Sequence, residues 1–495
     1  MKYIPPLILS FCLFFSVYAK AQQSYKYRIS LADKSATTFS LSAPNEYLSE
    51  KALLRRAKQQ LPIDSTDLPV CKSYVDAIRA KGAKIIATGK WNNTVTVSCK
   101  DTMLIDVIAT LPFVHSTEKV WSGVEVPLDS VPDKREEVSN EVTTTTNYYG
   151  PAARQIEIHN GQRLHEAGFK GQGITIAVID AGFNNVDKIK GFERMRLLGT
   201  HDFVQPGSDI YSQDAHGEKV LSCMACNLPY SMVGTAPEAL YWLLRTEDSV
   251  SENLVEQDYW AAAVEFADSV GADVVNTSLG YKEFDDKSKN YTHTLLNGHF
   301  ALISRSAGMA ASKGMVVVCS AGNEGNKRWK KITPPADAFQ VITVAAVDSA
   351  LNIAPFSSHG FTADGRVKPD VSAMGRKATV LDTDGTVSQS NGTSFAAPVF
   401  CGLVACLWQA CPNLTAKEVI DFVRESGDRY QNPDSIYGYG IPDVYRIYQK
   451  VHGLMPVSTC NTLGQTIKAS DCYTTWSRKP KQLFQADSSF VKTKK

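Results

Sequence analysis

Three short runs of apolar, largely β-branched residues limit the folds open to this chain: 174–179 (ITIAVI), 274–277 (VVNT) and 315–319 (MVVVC). None shows the apolar/polar alternation of a strand with one wet face, so each reads as a strand buried on both sides. Such strands belong to parallel sheets covered by helices. Each run stops at a short small or polar stretch: Asp180-Ala181-Gly182, Ser278-Leu279-Gly280 and Ser320-Ala321-Gly322-Asn323. Right-handed crossovers would bring these ends to one edge, where sheets of this kind carry their sites. The expectation is an α/β fold with a doubly wound, mainly parallel sheet and helices on both faces.

A fourth stretch, Asn391-Gly392-Thr393-Ser394-Phe395-Ala396-Ala397-Pro398, leads into an apolar run that reads as a buried helix over 395–411. Gly392 is read as supplying a backbone geometry that a side chain would resist, and Pro398 as falling in the opening turn. A serine at a helix N-terminus meets free backbone N–H groups that attract negative charge, which suits a nucleophile whose reaction makes an oxyanion. Taken alone, Ser394 reads better as an N-cap. Asp180 taken alone reads as a turn-capping carboxylate, and Asn323 as a turn residue. His216 precedes a glycine and a mostly apolar helical run over 220–226; a lone histidine there reads as a solvated loop residue. Of the nine histidines, three precede a glycine, and His216 is the one of these that leads into a helix between Asp180 and Ser394. Together the four residues suit acyl transfer. Ser394 attacks a carbonyl, His216 takes its proton, Asp180 orients the imidazole, and the Asn323 amide donates to the oxyanion.

Val178-Ile179-Asp180-Ala181-Gly182, His216-Gly217, Ser320-Ala321-Gly322-Asn323 and Gly392–Pro398 resemble the motifs of the subtilisin-like serine proteases, the subtilases, in the order Asp, His, Ser. Phe356-Ser357-Ser358 and Lys368-Pro369-Asp370-Val371 extend the resemblance, which covers about residues 155 to 450. It implies a serine endopeptidase with Asp180, His216 and Ser394 as triad and Asn323 beside the Ser394 N–H in the oxyanion hole. It also implies that Ser278, Leu279, Gly280, Ser320, Ala321 and Gly322 bind an extended peptide by strand addition. Gly280 and Gly322 would leave room for the side chain next to the scissile bond. Glu218 and Lys219 depart from the family's Thr-His and are expected at the cleft rim. Ala181 and Met374 are milder departures. The segment 281–300 is read either as a wall of the cleft or as a surface insertion. No cofactor is required for the chemistry. Structural calcium is implied by the family alone: Asp202, Asp209 and Asp214 match no defined calcium loop, and solvated acids are an equal reading. Two competing readings are a catalytically silent binding protein on the same fold and a ligase working through the same acyl-enzyme.

The chain's length allows several domains. Lys2, the apolar core 4–17 and Ala19-Lys20-Ala21 read as a secretory signal over 1–21, which makes the protein secreted, extracellular or periplasmic. No other stretch reads as a membrane span, and a formal net charge of +1 gives no sign of a nucleic-acid partner. Residues 22–122 read as a small α+β, ferredoxin-like domain. By resemblance this is the propeptide, the enzyme's own inhibitor. Its strands are expected over 25–31, 83–88, 94–99 and 113–120, and its helices over 46–59, 70–81 and 103–111. Residues 123–153 read as a linker, 154–452 as the catalytic domain and 453–495 as a polar tail. Of eleven cysteines, Cys12 lies in the signal. Cys71 with Cys99 and Cys460 with Cys472 are candidate disulfides. Cys223 and Cys226 have the spacing of a redox or metal pair but read better as small buried core residues, and Cys401, Cys406 and Cys411, five positions apart, do not share a helix face, which argues against a metal site there.

Overall fold

The computed structural model describes residues 23–128 and 133–454; the expected signal, the Cys460–Cys472 pair and nearly all of the expected tail lie outside them. The chain begins with β1 (Gln23–Leu31), α1 (Glu50–Lys58), α2 (Lys72–Ala80), β2 (Lys84–Gly89), β3 (Thr94–Cys99), α3 (Met103–Ala109) and β4 (Val114–Val124). The four strands form an antiparallel sheet in the order β2-β3-β1-β4, the βαββαβ plan expected of a ferredoxin-like unit. Strand β3 shows how its sequence dictates burial. Val95 and Val97 pack with Ile29, Ile78, Ile105 and Ile108 under the unit's own helices. The alternate residues Thr94, Thr96 and Ser98 are buried as well, because that face of the sheet is covered by the next unit. Cys71 and Cys99, expected as a pair, are free buried thiols, as is every cysteine among the described residues.

The second unit contains α4 (Ala153–Glu157), α5 (Gly161–Glu166), β5 (Thr175–Asp180), β6 (Arg196–Asp202), α6 (His216–Ala225), β7 (Asn227–Leu228), β8 (Met232–Val233) and β9 (Leu240–Arg245). It continues with α7 (Val255–Ser269), β10 (Val274–Thr277), α8 (Leu302–Ser312), β11 (Val316–Ser320), β12 (Ile342–Val347) and β13 (Val371–Met374). It closes with β14 (Ala378–Leu381), β15 (Val387–Ser390), α9 (Thr393–Ala410), α10 (Ala416–Glu425) and α11 (Val444–Val451). Seven strands make a parallel sheet in the order β13-β12-β11-β10-β5-β9-β6. From β5 the chain crosses to the edge strand β6, returns inward to β9 and then runs outward from β10 to β13 on the other side, so the switch point lies at the carboxyl ends of β5 and β10.

Both faces of the sheet are covered. On one, Ala177, Ile179, Val275, Val317 and Cys319 pack against Tyr259, Trp260, Ala263 and Val264 of α7 and Ile303, Ala307 and Ala310 of α8. Helix α9 crosses β10 to β13 on the other. By length and composition α9 alone among the described helices is apolar enough to cross a membrane, but 94% of it is buried inside the protein. It is a core helix whose apolar character comes from being wrapped on all sides.

The first unit lies on α7 through an ionic seam. Asp268 of α7, fully buried, accepts from Arg55 Nη2 at 2.5 Å, Arg56 Nη2 at 2.9 Å and Lys90 Nζ at 3.1 Å. Arg28 forks onto Asp258 at 2.7 and 2.6 Å, and Glu265 accepts the Lys90 and Trp91 N–H groups. The expected linker is pinned rather than loose. Asn184 Nδ2 donates to Lys134 O at 2.7 Å, Asn185 Nδ2 donates to Glu136 O at 2.9 Å, and Ser139 N–H donates to Asp384 O at 2.9 Å. Segment 281–300 is more than a surface insertion: Tyr281, Phe284 and Tyr291 join the main core, and Lys289 bridges to Glu118 of β4 at 3.0 Å.

Candidate active site

Asp180 is the last residue of β5, 1% exposed, where the buried strand delivers it to the switch point. Its Oδ1 accepts from its own neighbour's N–H, Ala181, at 2.8 Å and from His216 Nδ1 at 2.6 Å. That bond makes Nδ1 the protonated nitrogen and leaves Nε2 free to act as a base. His216 opens α6, where Asp214 Oδ1 accepts its N–H at 2.8 Å. Burial by itself would lower the His216 pKa, but the charge and hydrogen bond of Asp180 outweigh it and raise the imidazole above its ordinary value, with Asp214 and Glu247 adding to the effect.

Ser394 lies inside α9 rather than before it, as the second helical residue after Gly392. The glycine's geometry is not what the sequence suggested. Gly392 is extended, with φ of 164°, and a methyl there would meet Phe395 at an ordinary 3.5 Å. Pro398 is also one turn deeper than expected. Lacking an N–H, it leaves the Ser394 carbonyl without its helical donor. Ser278 Oγ takes that place, donating to Ser394 O at 2.8 Å while accepting from the buried Asn276 amide at 3.1 Å. The Ser394 hydroxyl donates in turn to Ser278 O at 3.0 Å. The strand end at β10 and the start of α9 are thus stitched together twice. The His216 ring lies beside Phe395, with centroids 5.9 Å apart.

Asn323 follows β11 through Ala321 and Gly322. Gly322, at φ +104°, is in a conformation that strongly favours glycine. Asn323 Oδ1 accepts from Thr393 N at 2.9 Å and Thr393 Oγ1 at 3.0 Å, and Thr393 Oγ1 accepts the Gly322 N–H at 3.1 Å. With its oxygen so occupied, the amide is left with its Nδ2 as donor. Thr393 therefore holds Asn323 in place, a role the motif contained but composition could not reveal. The structure brings together the ends of β5, β10 and β11 and the starts of α6 and α9, and with them Asp180, His216, Ser278, Asn323 and Ser394.

Several expectations change. Glu218 is not at the rim: it is fully buried on the first turn of α6, and neither carboxylate oxygen has a hydrogen-bond partner among the described residues. Burial raises its pKa far above the usual carboxylate range. Lys219 faces outward to Asp382 at 2.5 Å. Thr333 lies against both Gly280 and Gly322. A methyl on Gly280 would come within 2.3 Å of Thr333 Oγ1, and one on Gly322 within 2.8 Å. Asp202, Asp209 and Asp214 do not converge. Asp202 pairs with Arg245 at 2.8 Å, Asp209 with Arg135 at 2.6 Å, and Asp214 caps His216. No group of three or more His, Cys, Asp or Glu side chains fit to hold a metal occurs among the described residues.

Residues 171–440 match the model of the subtilase family, and residues 26–138 match the model of the peptidase S8 propeptide domain of Bacteroidota. The chain is 28% identical over 313 residues to serine protease AprX of Bacillus subtilis strain 168, covering 57% of this chain and 66% of that protein. It is 29% identical over 284 residues to a subtilisin of Bacillus pumilus, covering 57% of this chain and 93% of the relative. Among solved structures, the MycP3 protease from the type VII (ESX-3) secretion system aligns with a TM-score of 0.49 at 21% identity, over 64% of this chain and 94% of that one.

Proposed function

The chain belongs to the subtilase family and carries that family's propeptide domain, and from this premise we propose that it is a secreted serine endopeptidase made as a propeptide-bound zymogen. Ser394 attacks the scissile carbonyl, His216 Nε2 takes its proton, and Asp180 holds the imidazole and offsets its charge. The Asn323 amide and the Ser394 N–H stabilise the oxyanion of the tetrahedral intermediate, and collapse leaves an acyl-enzyme that water hydrolyses. The single observation that carries this reading is the 2.6 Å bond between Asp180 and His216 at the switch point that Ser394 also borders. In the resting rotamer the Ser394 hydroxyl bonds Ser278 O, so a turn about its Cα–Cβ bond redirects it to the imidazole. Export is read from the signal-like residues 1–21.

The silent-binder alternative drew on Glu218 and Lys219. With Glu218 buried and Lys219 paired to Asp382, nothing favours it. The test is labelling with a small alkyl fluorophosphonate. Modification of Ser394, with both labelling and self-cleavage abolished in Ser394→Ala, is the expected result. A mature, folded chain that takes up no label would refute the assignment.

A further inference from the structure

On the proteolytic reading, the side chain next to the scissile bond would enter between two backbone edges, 278–280 and 320–322, and in this chain a third segment is bonded beside them. Thr333 N–H donates to Ala321 O on one edge at 3.3 Å, and Tyr281 N–H, just past the other edge, donates to Pro334 O at 3.0 Å. Ile332 N–H donates to His359 O at 3.0 Å, and Ala336 N–H closes a turn onto Thr333 O at 2.9 Å. Main-chain bonds on both sides therefore fix the backbone of the segment that carries Thr333. Its side chain, on a residue only 4% exposed, reaches both glycines. Its Oγ1 lies 2.3 Å from where a Gly280 methyl would be and 2.8 Å from where a Gly322 methyl would be. Ser358 Oγ closes the same corner, 2.9 Å from that second methyl, and is held there by the Glu324 N–H at 3.0 Å.

We propose that Thr333 is a specificity-determining residue that truncates this slot, so that the enzyme cleaves after glycine, alanine or serine and rejects large aliphatic, aromatic and long basic side chains. The inference rests on the proteolytic reading above. A peptide lying along the two edges would bring its β-carbon over the gap that Thr333 floors. A hydrogen, a methyl or a hydroxymethyl is accommodated there. A leucine or phenylalanine side chain meets Thr333 and Ser358, whose backbones are held in place. Even one misplaced methylene in such a slot changes kcat/KM by about 10- to 200-fold, so the discrimination against an aromatic ring is of that order or greater.

The test uses the enzyme matured from the full-length chain and blocked tetrapeptide amides that differ only in the residue before the scissile bond: Gly, Ala, Ser, Leu, Phe or Lys. For the parent enzyme, kcat/KM on the Phe and Leu substrates is expected to be lower than on Ala by about tenfold or more. In Thr333→Gly the Phe/Ala ratio rises by about tenfold or more, and in Thr333→Ser, which keeps the hydroxyl and the anchoring, it stays near the parent's. Fluorophosphonate labelling, which does not depend on this slot, is run on each protein. A parent enzyme that takes the label yet cleaves after Phe and Ala equally well overturns the inference and leaves the protease reading intact. An enzyme that takes no label and cleaves nothing overturns both. Should Thr333→Gly not fold, the parent's own profile and that of Thr333→Ser still decide.

Discussion

Replacing Asp268 by alanine tests whether the ionic seam between the two units is a working part of the zymogen. Three cations of the first unit meet this one carboxylate, and both it and Arg55 and Arg56 are almost wholly buried. The surviving groups are not equally stranded. Arg56 keeps Asp67 at 2.8 Å and Lys90 keeps Ser269 Oγ at 3.0 Å, whereas Arg55 loses its one carboxylate and retains only carbonyl partners, Ala272 among them. Removing one partner of a buried pair costs about 3–5 kcal/mol, and with two of the three cations still compensated the lower end, about 3 kcal/mol, is expected. Burial pushes the Asp268 pKa up, but Lys90, Arg55 and Arg56 outweigh it and hold the carboxyl below its ordinary value. Stability from a depressed carboxyl is present above its unfolded pKa and lost as pH falls through the folded one. The penalty should therefore persist from pH 5 to 8 and shrink below about pH 4. The assay is urea unfolding of the uncleaved chain in a Ser394→Ala background. Asp76→Ala, which removes the exposed pairs to Lys72 and Arg79, serves as control and should cost far less, because exposed pairs are screened by water. An Asp268→Ala penalty no larger than that of the control would refute the reasoning.

Asn323→Ala should lower kcat by about 10²–10³ with little change in KM, the cost found for an oxyanion-hole donor in a subtilisin itself; steady-state kinetics on one peptide amide measures it. Because Asp180 raises the His216 pKa, the acid limb of the kcat/KM profile should lie above pH 6.5. In Asp180→Asn it should move downward, with a rate loss of about 10⁴. Burial, opposed by Lys90, pushes the Glu265 carboxyl up to about 7. A raised carboxyl stabilises below its unfolded pKa and loses that stability as pH rises through the folded one, so Glu265→Gln should flatten the decline between pH 5 and 8. That decline amounts to up to about 3 kcal/mol, read from unfolding midpoints of the uncleaved Ser394→Ala chain.

The fold class was legible because its signals are local. A run such as ITIAVI is apolar without interruption only if both faces are covered, and three such runs, each ending at a small or polar turn, leave little but a covered parallel sheet. The elements of the first unit were readable for the same reason, with β3 found at its observed bounds, Thr94–Cys99. Local patterning could not say which covered face belongs to which unit. The Thr and Ser residues of β3 alternate like a wet face, yet all three are buried, Thr96 against Asp258 of α7.

Asp180, His216, Asn323 and Ser394 were identifiable from sequence because acyl transfer needs those groups at strand ends and helix starts. What they rest on was settled by residues far away in the chain. Ser278 supplies the hydrogen bond that Pro398 denies to Ser394, Thr393 occupies the Asn323 Oδ1, and Thr333 lies against the two glycines Gly280 and Gly322. Glu218, adjacent in sequence to the His216-Gly217 pair, ended up inside the protein while Lys219 stayed out. Hydrophobic period and chain order fix where elements begin and which ends meet. Which side chain fills a given gap depends on distances between segments that no single stretch encodes, and only close packing of the whole chain decides it.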